Sequence, residues 1–230
     1  MATDCVSGVH SSVAGTNSPR WSEGTVEAVD LNSWLVLDAQ KLPKLHRSST
    51  SPEQRWLRGG VCIANTTAAL TCMQQCLWNE TAGVCFDRNP ATNASVSVIT
   101  PATFFALLPG VATQAQAERM ALQLNNTLTL RTPFPFPVVS RSAPTFAPST
   151  YWRGPVWINI KCIVIVGLRR YGLTSLAAQL QRETLGLVAR IDVEHYNSVA
   201  LTDPGSELKI LCGLEHCSVR LHLMMILLRH

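Results

Sequence analysis

The stretch Tyr151-Trp-Arg-Gly-Pro-Val-Trp-Ile-Asn159 decides the fold of this chain. It joins a segment rich in proline and serine, residues 132–150, to the strongly apolar run Pro155–Tyr171, which is followed by Gly172. An apolar run that stops at a glycine predicts a helix. The segment before it predicts a long loop, and long loops inside compact domains are often functional. We therefore expect a functional junction between a loop and a helix at this stretch.

Helical periodicity also marks the part of the chain that precedes this stretch. Val26–Leu45 and Val61–Trp78 each carry an apolar face at helical spacing, and Pro43 is expected to end or kink the first helix. Between the helical segments, Val84–Phe86 and Val96–Val98 are short β-like runs on either side of a polar turn. These runs allow a short β-hairpin in an otherwise helical chain.

Helix start signals recur through the middle and the C-terminal half. Thr100 and Pro101 predict an N-cap followed by a first helical residue, and Thr113 with Gln116 predicts a capping box. Thr174 is the predicted cap of a further helix. Helix after helix with short connections predicts an all-α fold built of helical hairpins. No fixed-period repeat supports a solenoid.

Composition excludes several classes of protein. The 230 residues are 47% hydrophobic, which allows a real core, but only 15% charged, below the roughly 25% usual for soluble domains. The net charge of +4 comes from scattered basic residues, so we expect no nucleic-acid partner. The longest apolar run is too short to span a membrane, and no signal peptide is evident. We therefore expect a cytoplasmic chain by default.

The eight cysteines favour neither a metal site nor a cofactor site. None forms a Cys-x-x-Cys pair, and Cys72 and Cys76 are spaced to share one face of a helix. Buried thiols in a helical core are therefore the favoured interpretation. Disulfide bonds and the use of the Asn-x-Ser/Thr sequons stay open. We expect no metal and no cofactor.

A set of motifs, taken in order, is similar to one known family. The motifs are Asn17-Ser-Pro-Arg-Trp21 before Asp30-Leu-Asn-Ser-Trp34, Leu77-Trp78 before Phe86-Asp87, Tyr151–Asn159 before Gly167-Leu-Arg-Arg-Tyr-Gly172, and Glu194-His-Tyr-Asn197. Together they resemble glycoside hydrolase family 63 and the related mannosylglycerate-hydrolase and trehalase-like enzymes. The resemblance covers residues 14–197 and implies part of an (α/α)6 toroid. Residues 1–13 are expected to be a disordered segment and residues 198–230 a divergent tail.

The resemblance implies inverting hydrolysis of α-glucosidic or α-mannosidic bonds in an oligosaccharide or a small α-glycoside. Two carboxyl groups about 6.5–9.5 Å apart do this chemistry, one as an acid and one as a base that activates water. Glu194 matches the general base. The position of the general acid holds Thr16, whose hydroxyl cannot protonate a glycosidic oxygen near neutral pH. Loss of the acid predicts a rate about 10²–10⁴ lower.

The same resemblance implies a pocket wall of aromatic and basic side chains. Indoles stack on the C–H faces of sugars, and guanidinium groups donate forked hydrogen bonds to hydroxyls. For Trp157, a place in the core is an equally good interpretation. The expected substrate-binding residues are Arg20, Trp21, Tyr151, Trp152, Arg153 and Trp157.

Three interpretations follow from these residues. The chain is an impaired α-glycosidase, or an inactive carbohydrate- or partner-binding remnant, or a truncated product without a stable fold. The toroid implied by the resemblance needs more helices than the sequence predicts. Apolar helix faces would then be exposed, and these could associate with another chain.

Overall fold

The computed structural model describes residues 7–8, 26–47, 70–71, 73–190 and 195–200. Four α-helices have bounds within these ranges: α1 Val29–Arg47, α2 Gln114–Leu124, α3 Ile158–Arg170 and α4 Thr174–Arg190. Shorter helical pieces are a π-helical turn, Met73–Leu77, and the 3-10 helices Pro101–Leu107 and Tyr151–Arg153. The prediction of a mainly helical chain is confirmed for this part of the sequence.

Short two-residue strands connect the helical pieces. They are β1 Ser7–Gly8, β2 Val26–Glu27, β3 Trp78–Asn79, β4 Val84–Cys85, β5 Asp87–Arg88, β6 Ser95–Val96, β7 Val156–Trp157 and β8 His195–Tyr196. One antiparallel sheet has the order β1-β2-β5-β6, while β3 pairs with β4 and β7 with β8. The expected hairpin between Val84–Phe86 and Val96–Val98 is replaced by two pairings: Val84–Cys85 pairs with Trp78–Asn79, and β5 pairs with β6 in a register that sets Asp87 against Val96.

Two predicted helices have other bounds in the structure. Helix α1, predicted over Val26–Leu45 with an end or a kink at Pro43, does not end there but continues to Arg47, because a proline removes one backbone hydrogen bond and a helix of this length retains the others. The second predicted helix, Val61–Trp78, ends at Leu77 as a π-helical turn, and Trp78 begins a strand. The antiparallel partner at Cys85 decides the conformation of Trp78. Residues 61–69 of that helix lie outside the described residues.

The capping box predicted at Thr113 is present, whereas Thr174, predicted as a cap, is the first residue of α4 itself. Thr113 accepts a hydrogen bond from the Gln116 amide at 3.2 Å, and the Gln116 side chain accepts one from the Thr113 amide at 2.8 Å. Thr100 precedes a helix with Pro101 in its first turn, but that helix is 3-10. These signals are local, so the sequence alone specifies them.

The core forms where α3 packs against the 3-10 helix 101–107 and against α4. A β-carbon added to Gly167 would lie 2.8 Å from the β-carbon of Leu107, so glycine permits this close approach. Helix α1 also packs against this 3-10 helix. Within the described ranges, no helix combines the length and apolar character needed to cross a membrane. The largest fully buried apolar side chains are Phe104, Phe136, Met73, Leu77, Leu107, Met120, Leu124, Leu130, Ile165, Leu168 and Leu180.

A buried ion pair joins the neighbouring strands β2 and β5, just before the start of α1. Arg88 Nε donates to Glu27 Oε2 at 2.6 Å, and Nη2 lies 2.5 Å from the same oxygen. Arg88 Nη1 also donates to Asn93 Oδ1 at 2.9 Å in the β5–β6 turn. Both charged side chains are buried, so each neutralises a charge that water cannot reach.

Glu27→Gln is expected to lower the free energy of unfolding by about 3 kcal/mol, because it leaves the Arg88 charge buried without its counter-charge. Urea denaturation followed by circular dichroism measures this. The surface variant Glu80→Gln, which breaks an exposed contact with Arg119, is the control and should change little. The double variant Glu27→Leu/Arg88→Met should cost less than Glu27→Gln. An unchanged midpoint for Glu27→Gln would contradict the role assigned to the pair.

Candidate active site

The first turn of α1 is fixed by a cap from a distant strand. Asp87 Oδ1 accepts a hydrogen bond from the backbone amide of Val29 at 2.8 Å. Within the same turn, Asn32 Nδ2 donates to the Ala28 carbonyl at 2.8 Å and Ser33 Oγ to the Val29 carbonyl at 2.6 Å. A carboxylate at a helix N-terminus satisfies an amide and complements the helix dipole. Two of the sequence motifs therefore meet at one helix end.

The junction at Tyr151–Asn159 is built by a close backbone approach. A β-carbon on Gly154 would lie 2.5 Å from the Ala147 carbonyl oxygen, so only glycine fits there. The Ala147 amide donates to the Arg153 carbonyl at 2.7 Å, and the Val138 amide donates to the Pro155 carbonyl at 3.0 Å. The loop 132–150 is thereby held against the start of α3.

Two tryptophans stack at this junction. The rings of Trp152 and Trp157 have centroids 3.9 Å apart and an interplanar angle of 13°. Trp157 is only 5% exposed and packs with Val138 and Val139. Trp152 is half-buried and lines a cleft. Trp157 therefore forms a rigid support beneath Trp152.

The cleft lies between α1, the 3-10 helix 101–107 and α3, and has a cavity volume of about 220 Å³. Its apolar wall includes Trp34, which is 40% exposed and meets Phe105 edge to face at 6.2 Å between centroids. Asp30 is the one charged side chain among the described lining residues. The lining residues are Asp30, Trp34, Thr100, Pro101, Ala102, Phe105, Val138, Trp152, Ile160 and Ile163.

The segment that follows Glu194 is tied to the same junction. Strand β8 pairs with β7 so that His195 faces Trp157 and Tyr196 faces Val156. Asn197 Nδ2 donates to Ser149 Oγ at 2.7 Å. The Asn197 side-chain oxygen also accepts from the Val199 amide at 2.8 Å. Two motifs that are far apart in sequence thus form one backbone unit.

A buried lysine lies behind the junction. Lys161 of α3 donates to the Pro135 carbonyl and lies 6.0 Å from the centroid of the Phe136 ring. Burial lowers the pKa of Lys161 to about 7, and the nearby carboxylate of Glu183 opposes that shift. Glu183 in turn is held by Arg131 through hydrogen bonds of 2.6 and 2.9 Å. These contacts connect α3 and α4 to the loop.

Comparison with known protein families identifies the family to which this chain belongs. The model of the "Mannosylglycerate hydrolase MGH1-like glycoside hydrolase domain" matches residues 7–197. The chain belongs to this glycoside hydrolase family.

Curated relatives and solved structures agree with this membership. A mannosylglycerate hydrolase of Thermus thermophilus is 34% identical over 122 residues, which are 53% of this chain and 29% of that protein. Mannosylglycerate hydrolase MGH1 of Selaginella moellendorffii is 30% identical over 148 residues, which are 61% of this chain and 30% of that protein. The chain therefore spans about 30% of the length of these curated relatives.

Among solved structures, the glycoside hydrolase family 63 mannosylglycerate hydrolase of Thermus thermophilus, in complex with glucose, superimposes with a TM-score of 0.67. It is 26% identical, and the match covers 79% of this chain and 44% of that one. The resemblance inferred from the motifs is confirmed.

The predicted site residues divide into two groups. Trp152, Arg153 and Trp157 lie at the junction, where Arg153 Nε donates to the Thr145 carbonyl at 3.0 Å. Glu194, Thr16, Arg20, Trp21 and the side chain of Tyr151 lie outside the described residues.

Sequence reasoning missed two residues. Asp30 lines the cleft and Asp87 caps α1, although both stand within motifs that carried the resemblance. Those motifs were the available signal. In the described part of the chain, no group of three His, Cys, Asp or Glu side chains is placed to hold a metal ion.

Stability should rise with pH from about 7 because of Lys161. The folded pKa of about 7 lies below the ordinary lysine pKa of 10.5, so above pH 7 the unfolded chain binds more protons than the folded chain. The wild type should gain about 1 kcal/mol more than Lys161→Met between pH 7 and 8. Urea midpoints for both proteins across this range measure the difference. Parallel stability curves would contradict the low pKa of Lys161.

Ser198→Ala should leave stability unchanged or raise it by about 1 kcal/mol. Ser198 is fully buried, and its Oγ has no hydrogen-bond partner among the described atoms. The matched control is Ser140→Ala, since the Oγ of the equally buried Ser140 lies 2.8 Å from Ser142 Oγ. The control should lose about 1 kcal/mol in thermal unfolding. A larger loss for Ser198→Ala than for Ser140→Ala would contradict this assignment.

Proposed function

We propose that this chain is the sugar-binding part of an inverting α-glycoside hydrolase in which hydrolysis is impaired. The proposed architecture is part of an (α/α)6 toroid. The proposed ligands are α-mannosides and α-glucosides, with α-mannosylglycerate the first candidate because the relatives are named mannosylglycerate hydrolases. The observation that carries the proposal is the cleft lined by Trp152, which rests on a buried, stacked Trp157.

A rigid indole face favours sugar binding. The C–H face of a pyranose ring is apolar, and an indole offers a flat apolar surface with little rotamer entropy to lose. The stacked Trp157, packed in its own small core with Val138 and Val139, prevents Trp152 from turning away from the cleft. The ligand therefore meets a preorganised surface.

The base assignment of Glu194 is supported by the backbone of its neighbours. His195 pairs with Trp157, and Asn197 binds Ser149 in the loop above the junction. In the proposed mechanism the Glu194 carboxylate removes a proton from a water molecule, which attacks the anomeric carbon from the face opposite the leaving group. The leaving oxygen then needs a proton from an acid on the other face.

The proposed impairment follows from Thr16. An alcohol remains protonated at neutral pH and is far too weak an acid to assist departure of the leaving group. When only the base acts, the leaving group must depart from the sugar as an alkoxide. This raises the activation free energy of hydrolysis. Substrates with good leaving groups need little acid assistance and therefore reveal what the base still does.

The purified chain is expected to release little product from α-mannosylglycerate or from aryl α-mannosides and α-glucosides. Thr16→Asp should raise turnover of the natural-type substrate by up to about 10², and Glu194→Gln in that background should abolish the gain. Assays of the released free sugar and aryl alcohol measure the turnover of the wild type and of both variants.

Wild-type turnover of an unactivated α-glycoside that disappears in Glu194→Gln would contradict the impairment. Absence of any gain in Thr16→Asp, in a chain that is folded by circular dichroism, would contradict Thr16 as the missing acid. Asp38→Asn, an exposed change on α1 outside the cleft, is the control for general effects of substitution.

A further inference from the structure

Trp34 of α1 is an indole to which the proposed function gives no role. It is 40% exposed and lines the same cleft as Trp152. Single apolar side chains on a surface are ordinary, whereas several that face one concave site mark a place where a ligand binds. Most of the described residues that line this cleft have apolar side chains. Trp34 therefore belongs to a binding surface rather than to the scattered apolar surface of the chain.

The ring of Trp34 is held by a buried neighbour. Phe105 of the 3-10 helix is 4% exposed, and its ring meets the indole edge to face with centroids 6.2 Å apart. Aromatic pairs in this geometry attract each other beyond the effect of the area that they bury. Trp152 rests on the buried Trp157. The cleft therefore presents two indoles, and a buried aromatic ring supports each of them.

The two indoles belong to different elements of the fold. Trp34 is in the second turn of α1, whose start is capped by Asp87 through the amide of Val29 at 2.8 Å. Trp152 is in the 3-10 helix 151–153, which follows the long loop. Because α1 and this junction are anchored by separate contacts, a ligand that touches both indoles is bound from two sides of the chain.

The size of the cleft indicates a single sugar ring. Its volume of about 220 Å³ is below the roughly 300–1,000 Å³ of pockets that bury drug-sized ligands, so one glycosyl ring fits it better than an oligosaccharide. A pyranose ring offers rigid apolar C–H faces to an indole. An open-chain polyol has similar hydroxyl groups but no fixed apolar face, and it loses more rotational freedom on binding.

We propose that Trp34 is a second substrate-binding indole, which packs on the glycosyl ring from the α1 side of the cleft while Trp152 packs on it from the junction. The inference rests on the proposed sugar-binding function and names the residue that makes the cleft prefer a cyclic glycoside to an open-chain polyol. It concerns binding alone and requires no hydrolysis.

The test is calorimetric titration of the full chain with methyl α-D-mannopyranoside, methyl α-D-glucopyranoside and D-mannitol. The wild type should bind the better glycoside more tightly than D-mannitol. Trp34→Leu, which keeps an apolar side chain without a flat ring, should weaken binding of that glycoside about tenfold and remove the preference. Trp34→Phe keeps a flat ring and should lose less. Leu122→Ala, a change at a 71% exposed apolar side chain of α2 outside the cleft, should bind like the wild type.

The comparison with D-mannitol separates binding from a structural role, because a merely destabilised protein would weaken both kinds of ligand equally. Such equal weakening in Trp34→Leu would overturn the proposal. Trp34→Gln, a good helix former at an exposed helical position, replaces Trp34→Leu if that variant fails to fold, and should show the same loss.

Trp152→Ala tests the underlying function separately. Loss of glycoside binding in Trp152→Ala with unchanged binding in Trp34→Leu and Trp34→Gln would overturn the role of Trp34 and leave the sugar site standing. No glycoside binding by the wild type, or equal binding by Trp152→Ala, would overturn both.

Discussion

The pairing of Val156–Trp157 with His195–Tyr196 is the contact on which the rest of the site depends. Two-residue strands are too short to be stable alone, so the pair persists because its flanks are held. The Val138 amide bonds to the Pro155 carbonyl on one side, and Asn197 bonds to Ser149 on the other. The long loop, the start of α3 and the segment after Glu194 are thereby one cooperative unit. A change in any of its hydrogen bonds would move the indole face of Trp152.

In the described part of the chain, the buried charged side chains are Glu27, Arg88 and Lys161, and each has a particular partner. Arg88 and Glu27 neutralise each other between the paired strands β5 and β2. Arg131 and Glu183 form a half-buried pair with two hydrogen bonds. Lys161 instead donates to a carbonyl, a weaker match for an ammonium than a carboxylate, and burial lowers its pKa to about 7. These charged side chains therefore hold two parts of the chain together. Removing a charge from water costs free energy, and a carboxylate partner offsets that cost more fully than a carbonyl does.

Local signals were predictable from sequence and contacts between distant residues were not. The Thr113–Gln116 capping box follows from two side chains three residues apart, and the structure contains it. The cap from Asp87 to Val29 joins residues 58 positions apart, so no local pattern indicates it. Trp78 was predicted as the end of a helix, but its strand partner at Cys85 overrides the helical periodicity. Sequence motifs indicated the junction at Trp152, while the stack of Trp152 on Trp157 depends on how α3 begins.

The motif residues serve two different physical purposes, and this separates family membership from activity. Gly154, Asn197 and Asp87 have structural roles: Gly154 permits a close backbone approach, the Asn197 side chain joins two loops, and the Asp87 carboxylate caps a helix. Such roles keep a fold and a cleft together whether or not catalysis occurs. Hydrolysis has a stricter requirement, because one ionisable side chain at one position must deliver a proton to the leaving oxygen. Packing contacts cannot supply that proton. Under the proposal that Thr16 stands at the acid position, the chain would keep the contacts of Gly154, Asn197 and Asp87, and the cleft beside Trp152, without acid catalysis.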